Sequence, residues 1–283
     1  MYNFLHSVLL LNKGQFFKYR SLFIFVMDKM HDDGPQMQKK QLRIRKKERT
    51  KQVILAKAEE FFAKKEMEAV SIEDIAEAAF ISRTTIYNYF TNKDTIFFAV
   101  GNKVFRDLNQ RFTAMFDPKM TGKDQVLQFC EQTFKDSTEN PIILKITNAY
   151  FVHTDKLNIA PEAVWNDLNV KIGPSNLNKL IDKSSTFEEF NLEELFEEPS
   201  YIEFVIWLMR NGFIWQKAIK KGREDKTIKN AMDDGELMEY LSILLNGVLS
   251  EINLRRTIKD RIGITRDTVI SQSLKLISHF LEN

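Results

Sequence analysis

The feature that most constrains this chain is a pair of short amphipathic helices predicted between Ser71 and Asp94. The sequence there is SIEDIAEAAFISRTTIYNYFTNKD. Ser71 and Asp74 have the spacing of a capping box, which starts a helix. Ser82 offers a second N-terminal cap. Only three residues, Ala79 to Ile81, separate the two helices, and this short connection is typical of a helix-turn-helix.

The second helix of the pair has an unusual outward face. Ile86 and Phe90 are four residues apart and should point inward. β-Branched and aromatic residues are poor exposed helix formers, so the opposite side is expected to contact something other than water. Arg83 and Asn88 have the chemistry to read base edges, and the hydroxyl groups can bind phosphates. The residues predicted to contact DNA here are Ser71, Ser82, Arg83, Thr84, Thr85, Tyr87, Asn88 and Tyr89.

A third helix is predicted to begin directly after this pair. Thr91 and Asp94 repeat the capping-box spacing, which places Lys93 in the first turn of that helix. The helix dipole and the ammonium group would both attract a phosphate. We therefore expect Lys93, like Tyr87, to contact the DNA backbone.

These residues resemble the TetR/AcrR family of bacterial one-component transcription regulators. The family pattern is a small residue, an aliphatic residue, Tyr, any residue, Tyr or His, and Phe, with Lys following. Here it reads TIYNYF and then Lys93, and the similarity extends over roughly Lys47 to Arg106. The upstream residues that agree are Ile54, Leu55, Ala58, Phe61, Phe62, Ala63, Ile72, Asp74, Ile75 and Ala76.

The resemblance implies an all-α fold, with a three-helix helix-turn-helix DNA-binding domain and a larger helical ligand-binding and dimerisation domain. Residues 47–108 would form the first domain, with its motif at 71–90, and residues 109–283 the second. Residues 1–46 are expected to be a disordered extension that becomes basic towards its end. Residues 1–36 are expected to be disordered or not translated.

Two positions depart from the family pattern. The family usually has Gly after the first helix and again in the turn, where this chain carries Glu66 and Phe80. Both positions favour a positive φ, and a bulky residue forced there would cost about 1 kcal/mol. We expect either reshaped turns or compensating packing.

A basic cluster precedes the predicted DNA-binding motif, although the net charge of the chain is only +2. Nucleic acid is the natural partner of such a cluster, and a solvated linker is the alternative. Lys47 is the member predicted to contact DNA. The cluster contains Lys39, Lys40, Arg43, Arg45, Lys46, Lys47, Arg49 and Lys51.

The rest of the chain has helical periodicity and no persistent strand pattern. Because prolines interrupt it, Asn158–Ser200 is expected to be irregular. Long helices are expected over Asp94–Met115, Lys123–Ser137, Pro141–Lys156 and Pro199–Gly222.

The last two predicted helices carry apolar stripes wider than one core contact requires, which implies a second partner. In the resembling family the last two helices of each subunit form a four-helix dimer interface. One reading helix also inspects too few base pairs to select a genomic site, so a homodimer on a near-palindrome is expected. Burial of both faces within one subunit is the alternative. The predicted interface residues are Leu241, Leu244, Gly247, Val248, Ile270, Leu274 and Ile277.

An aromatic-rich region lies between the predicted long helix and the dimer helices. In the resembling family this region binds small apolar or amphipathic effectors, whereas plain core packing is the alternative for each aromatic residue. A pocket would need a few orienting polar groups. The predicted ligand-binding residues are Tyr150, His153, Trp207 and Arg210.

The sequence contains no motif that indicates catalysis, metal binding or membrane insertion. The histidines are scattered, and HExxH, CxxC, GxGxxG and phosphate-loop motifs are absent. Neither apolar run in residues 1–36 is long enough to span a bilayer. A lone Cys130 suits a reducing cytoplasm. The sequence therefore predicts a cytoplasmic, cofactor-free transcription repressor released from DNA by a small effector. Control by a protein partner and a helical enzyme are the alternatives.

Overall fold

In the residues that the computed structural model describes, every regular element is a helix and there are no strands, which confirms the predicted all-α class. No helix of the described part is both long and apolar enough to cross a membrane. The chain divides into two compact units, Met1–Val53 and Ile54–Asn283. The residues whose backbone is described are 13–156, 161–182, 187–254 and 263–283.

The four long helices that the sequence predicted are present, each within two residues of its expected ends. The described ranges also contain two 3₁₀ helices, Met67–Ala69 and Phe187–Glu189. The α-helices of the described ranges are α1 Lys13–Lys64, α2 Ile72–Ala78, α3 Arg83–Tyr87, α4 Lys93–Met115, α5 Gly122–Glu139, α6 Ile142–Lys156, α7 Pro161–Ile172, α8 Pro174–Ile181, α9 Leu192–Leu195, α10 Pro199–Glu224, α11 Asp234–Leu254 and α12 Arg266–Glu282.

The first helix begins much earlier than expected. The extension was predicted to be disordered, but α1 runs without a break from Lys13 to Lys64, and residues 1–12 lie outside the described part. Residues 36–53 are rich in Gln, Lys and Arg, which are good helix formers. Adding such residues to an existing helix costs far less free energy than nucleating a new one. The structure therefore differs from the expected disorder over residues 13–46.

The region expected to be irregular also contains helices. Pro161, Pro174 and Pro199 are the first residues of α7, α8 and α10. At the first position of a helix the missing N–H costs nothing, and the fixed φ of proline suits the helix. These prolines therefore begin helices, where the sequence suggested only breaks. Residues 157–160 and 183–186 of this region are outside the described part.

The core of the second unit forms where α10 packs along α4. The ring of Phe204 lies 5.0 Å from that of Phe105 and 5.6 Å from that of Phe98, centroid to centroid. The buried Asn211 amide donates to the Phe105 carbonyl oxygen at 3.2 Å, and Asn109 donates to Asn211 Oδ1 at 3.1 Å. These contacts fix the two helices side by side. The predicted domain boundary at 108 falls inside α4, so both parts share this helix.

The start of α5 approaches α10 so closely that only glycine fits. A Cβ on Gly122 would lie 1.9 Å from the Gly222 backbone nitrogen and 2.6 Å from the Ala218 carbonyl oxygen. The Gly122 N–H donates to Asp225 Oδ2 at 2.8 Å. This bond anchors the first turn of α5 at the end of α10.

Candidate nucleic-acid interface and internal cavity

Both predicted N-terminal caps of the helix pair are present. The Asp74 N–H donates to Ser71 Oγ at 3.0 Å, and the Ser71 N–H donates to Asp74 Oδ2 at 3.1 Å. Hydrogen bonding of the Asp74 carboxylate to the Ser71 backbone N–H, and then to the Ser71 side chain, holds the pKa of that carboxyl group below its ordinary value. At α3 the Thr85 N–H donates to Ser82 Oγ at 3.1 Å. The hydroxyl oxygens of Ser71 and Ser82 thus cap the first turns of α2 and α3.

The turn between α2 and α3 has the hydrogen bonds of a Schellman motif, with phenylalanine where glycine is usual. The Ile81 N–H donates to the Ala76 carbonyl at 3.0 Å, and the Phe80 N–H donates to the Glu77 carbonyl at 3.1 Å. Phe80 has a φ of 55° and is 95% exposed. The expected strain at this position is therefore real, and burial of the ring does not offset it.

Replacing Phe80 with glycine is expected to raise the free energy of unfolding by about 1 kcal/mol, because glycine adopts positive φ without steric cost. Urea denaturation measures the change. Phe80→Ala is the matched control, since it removes the exposed ring and keeps the Cβ that causes the strain. An equal gain from both variants would contradict this explanation.

The outward face of α3 is arranged largely as predicted. Ile86 and Phe90 are buried, and Thr85 and Tyr89 are half-buried. Tyr89 packs against the core. The exposed residues are Arg83, Thr84, Tyr87 and Asn88. These four side chains form the surface that α3 can present to a base-pair edge or a phosphate.

Arg83 is held in place by α2. Its Nη1 atom lies 2.5 Å from Glu73 Oε1, and its guanidinium carbon lies 5.9 Å from the centre of the Tyr87 ring. Both partners of the Arg83–Glu73 pair are more than half exposed. An anion or base edge that approaches Arg83 must therefore replace the Glu73 carboxylate.

Lys93 points inward, which corrects the expected phosphate contact. Its Nζ atom donates to the carbonyl oxygens of Met67 at 2.7 Å, Val70 at 2.9 Å and Glu68 at 3.3 Å. These carbonyls belong to the 3₁₀ helix and its C-terminal cap, and that of Met67 also accepts the Val70 N–H at 3.2 Å. The ammonium group supplies a donor to carbonyls at this helix end. The helix cap also differs, since α4 is capped by Asn92, whose Oδ1 accepts from the Thr95 N–H at 2.8 Å.

Lys93→Met is expected to lower the free energy of unfolding by about 1–3 kcal/mol, because it leaves partly buried carbonyls without a donor. Lys220→Met is a matched control, as Lys220 is exposed on α10. Urea denaturation measures the loss. In DNA-binding assays the slope of affinity against salt should not change. Unchanged stability with a flatter salt dependence would restore the phosphate role.

The other departure from the family pattern, Glu66, is accommodated by a reshaped turn. Its backbone is extended, with φ −65° and ψ 152°, so no positive φ is required. Lys145 of α6 donates to the Lys65 carbonyl oxygen at 3.0 Å and lies 3.2 Å from Glu66 Oε1. The turn after α1 is therefore tied to α6.

The basic cluster lies on the part of α1 that belongs to the first compact unit. Its members from Lys39 to Arg49 are exposed, and Lys47 is among them. The side chains of this cluster are accessible to an anionic partner.

A partly open cavity of about 230 Å³ lies among α4, α5, α6, α10 and α11. Its wall is mainly aliphatic and aromatic, with polar residues from α5, α6, α10 and α11. The lining residues are Phe105, Leu108, Phe112, Thr133, Asp136, Ser137, Ile143, Leu144, Thr147, Leu208, Asn211, Gly212, Trp215, Met238, Leu241, Ser242, Leu245, Asn246 and Leu249.

Two of the predicted ligand residues lie away from this cavity. Arg210 is buried, donates from Nε to the Leu180 carbonyl oxygen at 2.6 Å, and stacks between Trp207 and Phe187. Arg210 and Trp207 therefore hold α8 and the second 3₁₀ helix against α10. The side chains of Tyr150 and His153 are outside the described residues. The sequence analysis missed Asp136 and Ser137. Their burial late in α5 shows that they matter, and this burial is visible only in the structure.

The predicted dimer residues divide between the subunit core and the surface. Leu241 and Ile277 are 1% and 3% exposed, and Leu241 lines the cavity. Val248, Ile270 and Leu274 are half-buried against the core. Leu244 and Gly247 are exposed. With them, the described parts of α11 and α12 leave an apolar surface, the outer face, that consists of Tyr240, Ile243, Leu244, Gly247 and Leu276.

Comparison with known proteins finds one family model that matches part of the chain. Residues 54–100 match the family model described as bacterial regulatory proteins, tetR family. This range covers the end of α1, the helix pair and the start of α4. No curated protein matches the chain in sequence.

Solved structures share the fold over most of the chain. A tetR-family regulatory protein from Rhodococcus RHA1 is 14% identical, with a TM-score of 0.52 over 82% of this chain and 96% of its own. PfmR from Thermus thermophilus is 16% identical, with a TM-score of 0.50 over 81% and 97%. The fatty acid degradation regulator FadR from Bacillus halodurans is 14% identical, with a TM-score of 0.50 over 80% and 97%.

Proposed function

Because residues 54–100 belong to the TetR family of bacterial regulatory proteins, we propose that this chain is a cytoplasmic transcription repressor. It binds a near-palindromic operator as a homodimer and is released from it by a small molecule. The observation that carries this proposal is the exposed, hydroxyl- and amide-bearing face of a capped α3 at the end of a short turn.

The chemistry of α3 supports sequence-selective DNA binding. Arg83 at the start of α3 and Asn88 at its C-terminal cap are both exposed, and each side chain can bond two atoms of one base edge in the major groove. Thr84 and Tyr87 offer hydroxyl groups to phosphates. The exposed basic residues of α1, including Lys47, add attraction to phosphates that does not depend on sequence.

The outer face supports the homodimer. Leu276 is 71% exposed and Ile243 is 58% exposed, and large apolar side chains grouped in this way mark interaction surfaces. A second copy of the same surface, related by a two-fold axis, would cover it and set two α3 helices on one duplex. The half-sites would then lie one helical turn, about 34–36 Å, apart.

Two connections lead from the cavity to the segment that holds the helix pair and support control by a ligand. The first is α4, which lines the cavity with Phe105, Leu108 and Phe112 and starts at Lys93. The second is α6, which lines the cavity with Ile143 and contacts Glu66 through Lys145. A ligand that prefers one arrangement of these helices shifts the spacing of the two α3 helices. A tenfold to hundredfold release needs about 1.4–2.8 kcal/mol of such preference.

Selection of bound sequences from a random duplex pool tests the DNA-binding proposal. The unaltered protein is expected to yield a near-palindromic motif. Arg83→Ala and Asn88→Ala should each relax one position in both half-sites, at a cost of about 1–3 kcal/mol for the preferred base. Tyr87→Phe should weaken binding to all sequences alike. Failure to enrich any sequence at low salt, or identical motifs for all variants, would refute this assignment.

A further inference from the structure

The cavity wall contains polar atoms of two consecutive residues, and these atoms lack hydrogen-bond partners among the described residues. Asp136 and Ser137, near the end of α5, are 6% and 1% exposed, and both line the cavity. Asp136 Oδ2 and Ser137 Oγ have no hydrogen-bond partner among the described residues. Buried polar atoms almost always form hydrogen bonds, because an atom that forms none loses its hydrogen bonds to water and gains no replacement within the protein. This pair of atoms therefore marks the place where the polar group of a ligand would bind.

The charge around the pair favours a cation. Asp136 Oδ1 accepts from Gln132 Nε2 at 3.0 Å. Oδ2 faces Arg111 Nε at 3.3 Å, outside hydrogen-bond geometry, and the Arg111 side chain is nearly half exposed to water. Asp136 is the one charged residue among those described in the cavity wall. Arg111 offsets part of the Asp136 charge but does not line the cavity, so a carboxylate or phosphate in the cavity would face the Asp136 carboxylate before it reached a cation.

The remaining wall favours an apolar body. Phe112 and Trp215 face the cavity from α4 and α10, and Leu208 and Leu245 add aliphatic surface. The volume of about 230 Å³ suits a molecule of about one ring with a short chain and is below the usual range for drug-sized ligands.

We propose that the cavity binds a small molecule with an apolar ring-sized body and one protonated amine, which donates hydrogen bonds to Asp136 and Ser137. This assignment rests on the proposed effector-controlled function and specifies the chemical class of the effector. The amine satisfies the carboxylate and hydroxyl oxygens, and the body contacts the cavity face of α4, the helix that begins beside the DNA-binding residues.

Calorimetric titration of the full chain with three matched probes tests the proposal. Phenethylamine, phenethyl alcohol and phenylacetate share a ring and differ in the charge of the polar group. We expect phenethylamine to bind about tenfold to hundredfold more tightly than the other two, as a charge-assisted hydrogen bond provides. Equal or tighter binding of phenylacetate, or no binding of any probe at millimolar concentration, would overturn the assignment.

Substitutions at Asp136 and Ser137 test whether phenethylamine binds at this site. Asp136→Asn keeps the shape and should abolish the preference for phenethylamine, whereas Glu139→Gln, an exposed carboxylate on the same helix, should preserve it. Ser137→Ala should weaken phenethylamine severalfold and serves as the deciding variant if Asp136→Asn does not fold. Retained preference in Asp136→Asn, or an unchanged affinity in Ser137→Ala, would refute the site.

The DNA assay separates this proposal from the proposed function. With the selected operator, phenethylamine should weaken binding of the unaltered protein and leave Asp136→Asn bound. An operator complex that phenethylamine does not affect would contradict the effector class while leaving DNA recognition intact. An unliganded protein that binds no selected duplex would instead contradict the proposed function.

Discussion

Replacing Ile243 and Leu276 together with aspartate is expected to convert the dimer to monomers and to weaken operator binding roughly a hundredfold or more. The two side chains are 58% and 71% exposed within one subunit, so each subunit should still fold. In a dimer that buries the outer face, four carboxylates would be removed from water without partners, which costs several kcal/mol. Sedimentation velocity measures the mass, and fluorescence anisotropy measures operator affinity.

Val170→Asp is the matched control for this change. Val170 is 83% exposed on α7, away from α11 and α12, so the same substitution there should leave both mass and affinity unaltered. Thermal melting followed by circular dichroism confirms the folding of each variant. A double aspartate variant that stays dimeric with unchanged DNA affinity would show that another surface forms the dimer.

Replacing Gly122 with alanine is expected to lower the free energy of unfolding by about 3 kcal/mol, the upper part of the usual range for overpacked sites. The added Cβ would meet backbone atoms of Gly222 and Ala218 at 1.9–2.6 Å. Backbone cannot rotate away as a side chain does, so α5 and α10 must separate. The shift would also lengthen the 2.8 Å bond from the Gly122 N–H to Asp225.

Gly212→Ala provides the comparison within α10. A Cβ at Gly212 would meet only the end of the Met238 side chain, at an ordinary contact distance of 3.4 Å. Alanine also favours the helix by up to about 1 kcal/mol. Urea denaturation at a single subunit concentration should therefore show a large loss for Gly122→Ala and none for Gly212→Ala. Similar losses in both would contradict the explanation from backbone contact.

Features that depend on residues close together in the chain were predictable. The caps at Ser71 and Ser82 each need an acceptor and an N–H three residues later, and both form. The strain at Phe80 follows from its place after a helix. Ile86 and Phe90 are buried as their spacing indicated.

Features that depend on distant partners were not predictable in this way. Lys93 carries the charge that binds a phosphate, but carbonyl oxygens 23–26 residues earlier in the chain accept its hydrogen bonds. Arg210 was predicted to line a ligand pocket. In the structure its guanidinium group instead donates to the Leu180 carbonyl oxygen and stacks on two aromatic rings. The partner of a long polar side chain is set by folding, since such a side chain reaches several groups.

The amino-acid sequence by itself determined the all-helical class, the capped helix pair and the exposure of Arg83, Thr84, Tyr87 and Asn88, because these follow from helical spacing and local hydrogen bonds. Thr85 and Tyr89 were also expected on the outward face, but both are half-buried. Only the tertiary structure decided which neighbour covers each apolar stripe. It assigned Leu241 to the cavity wall and left Ile243 and Leu276 on the outer face. It also brought Asp136 and Ser137 to the cavity. Helical periodicity indicates that one face of a helix is apolar. Which surface packs against that face depends on how separate helices meet.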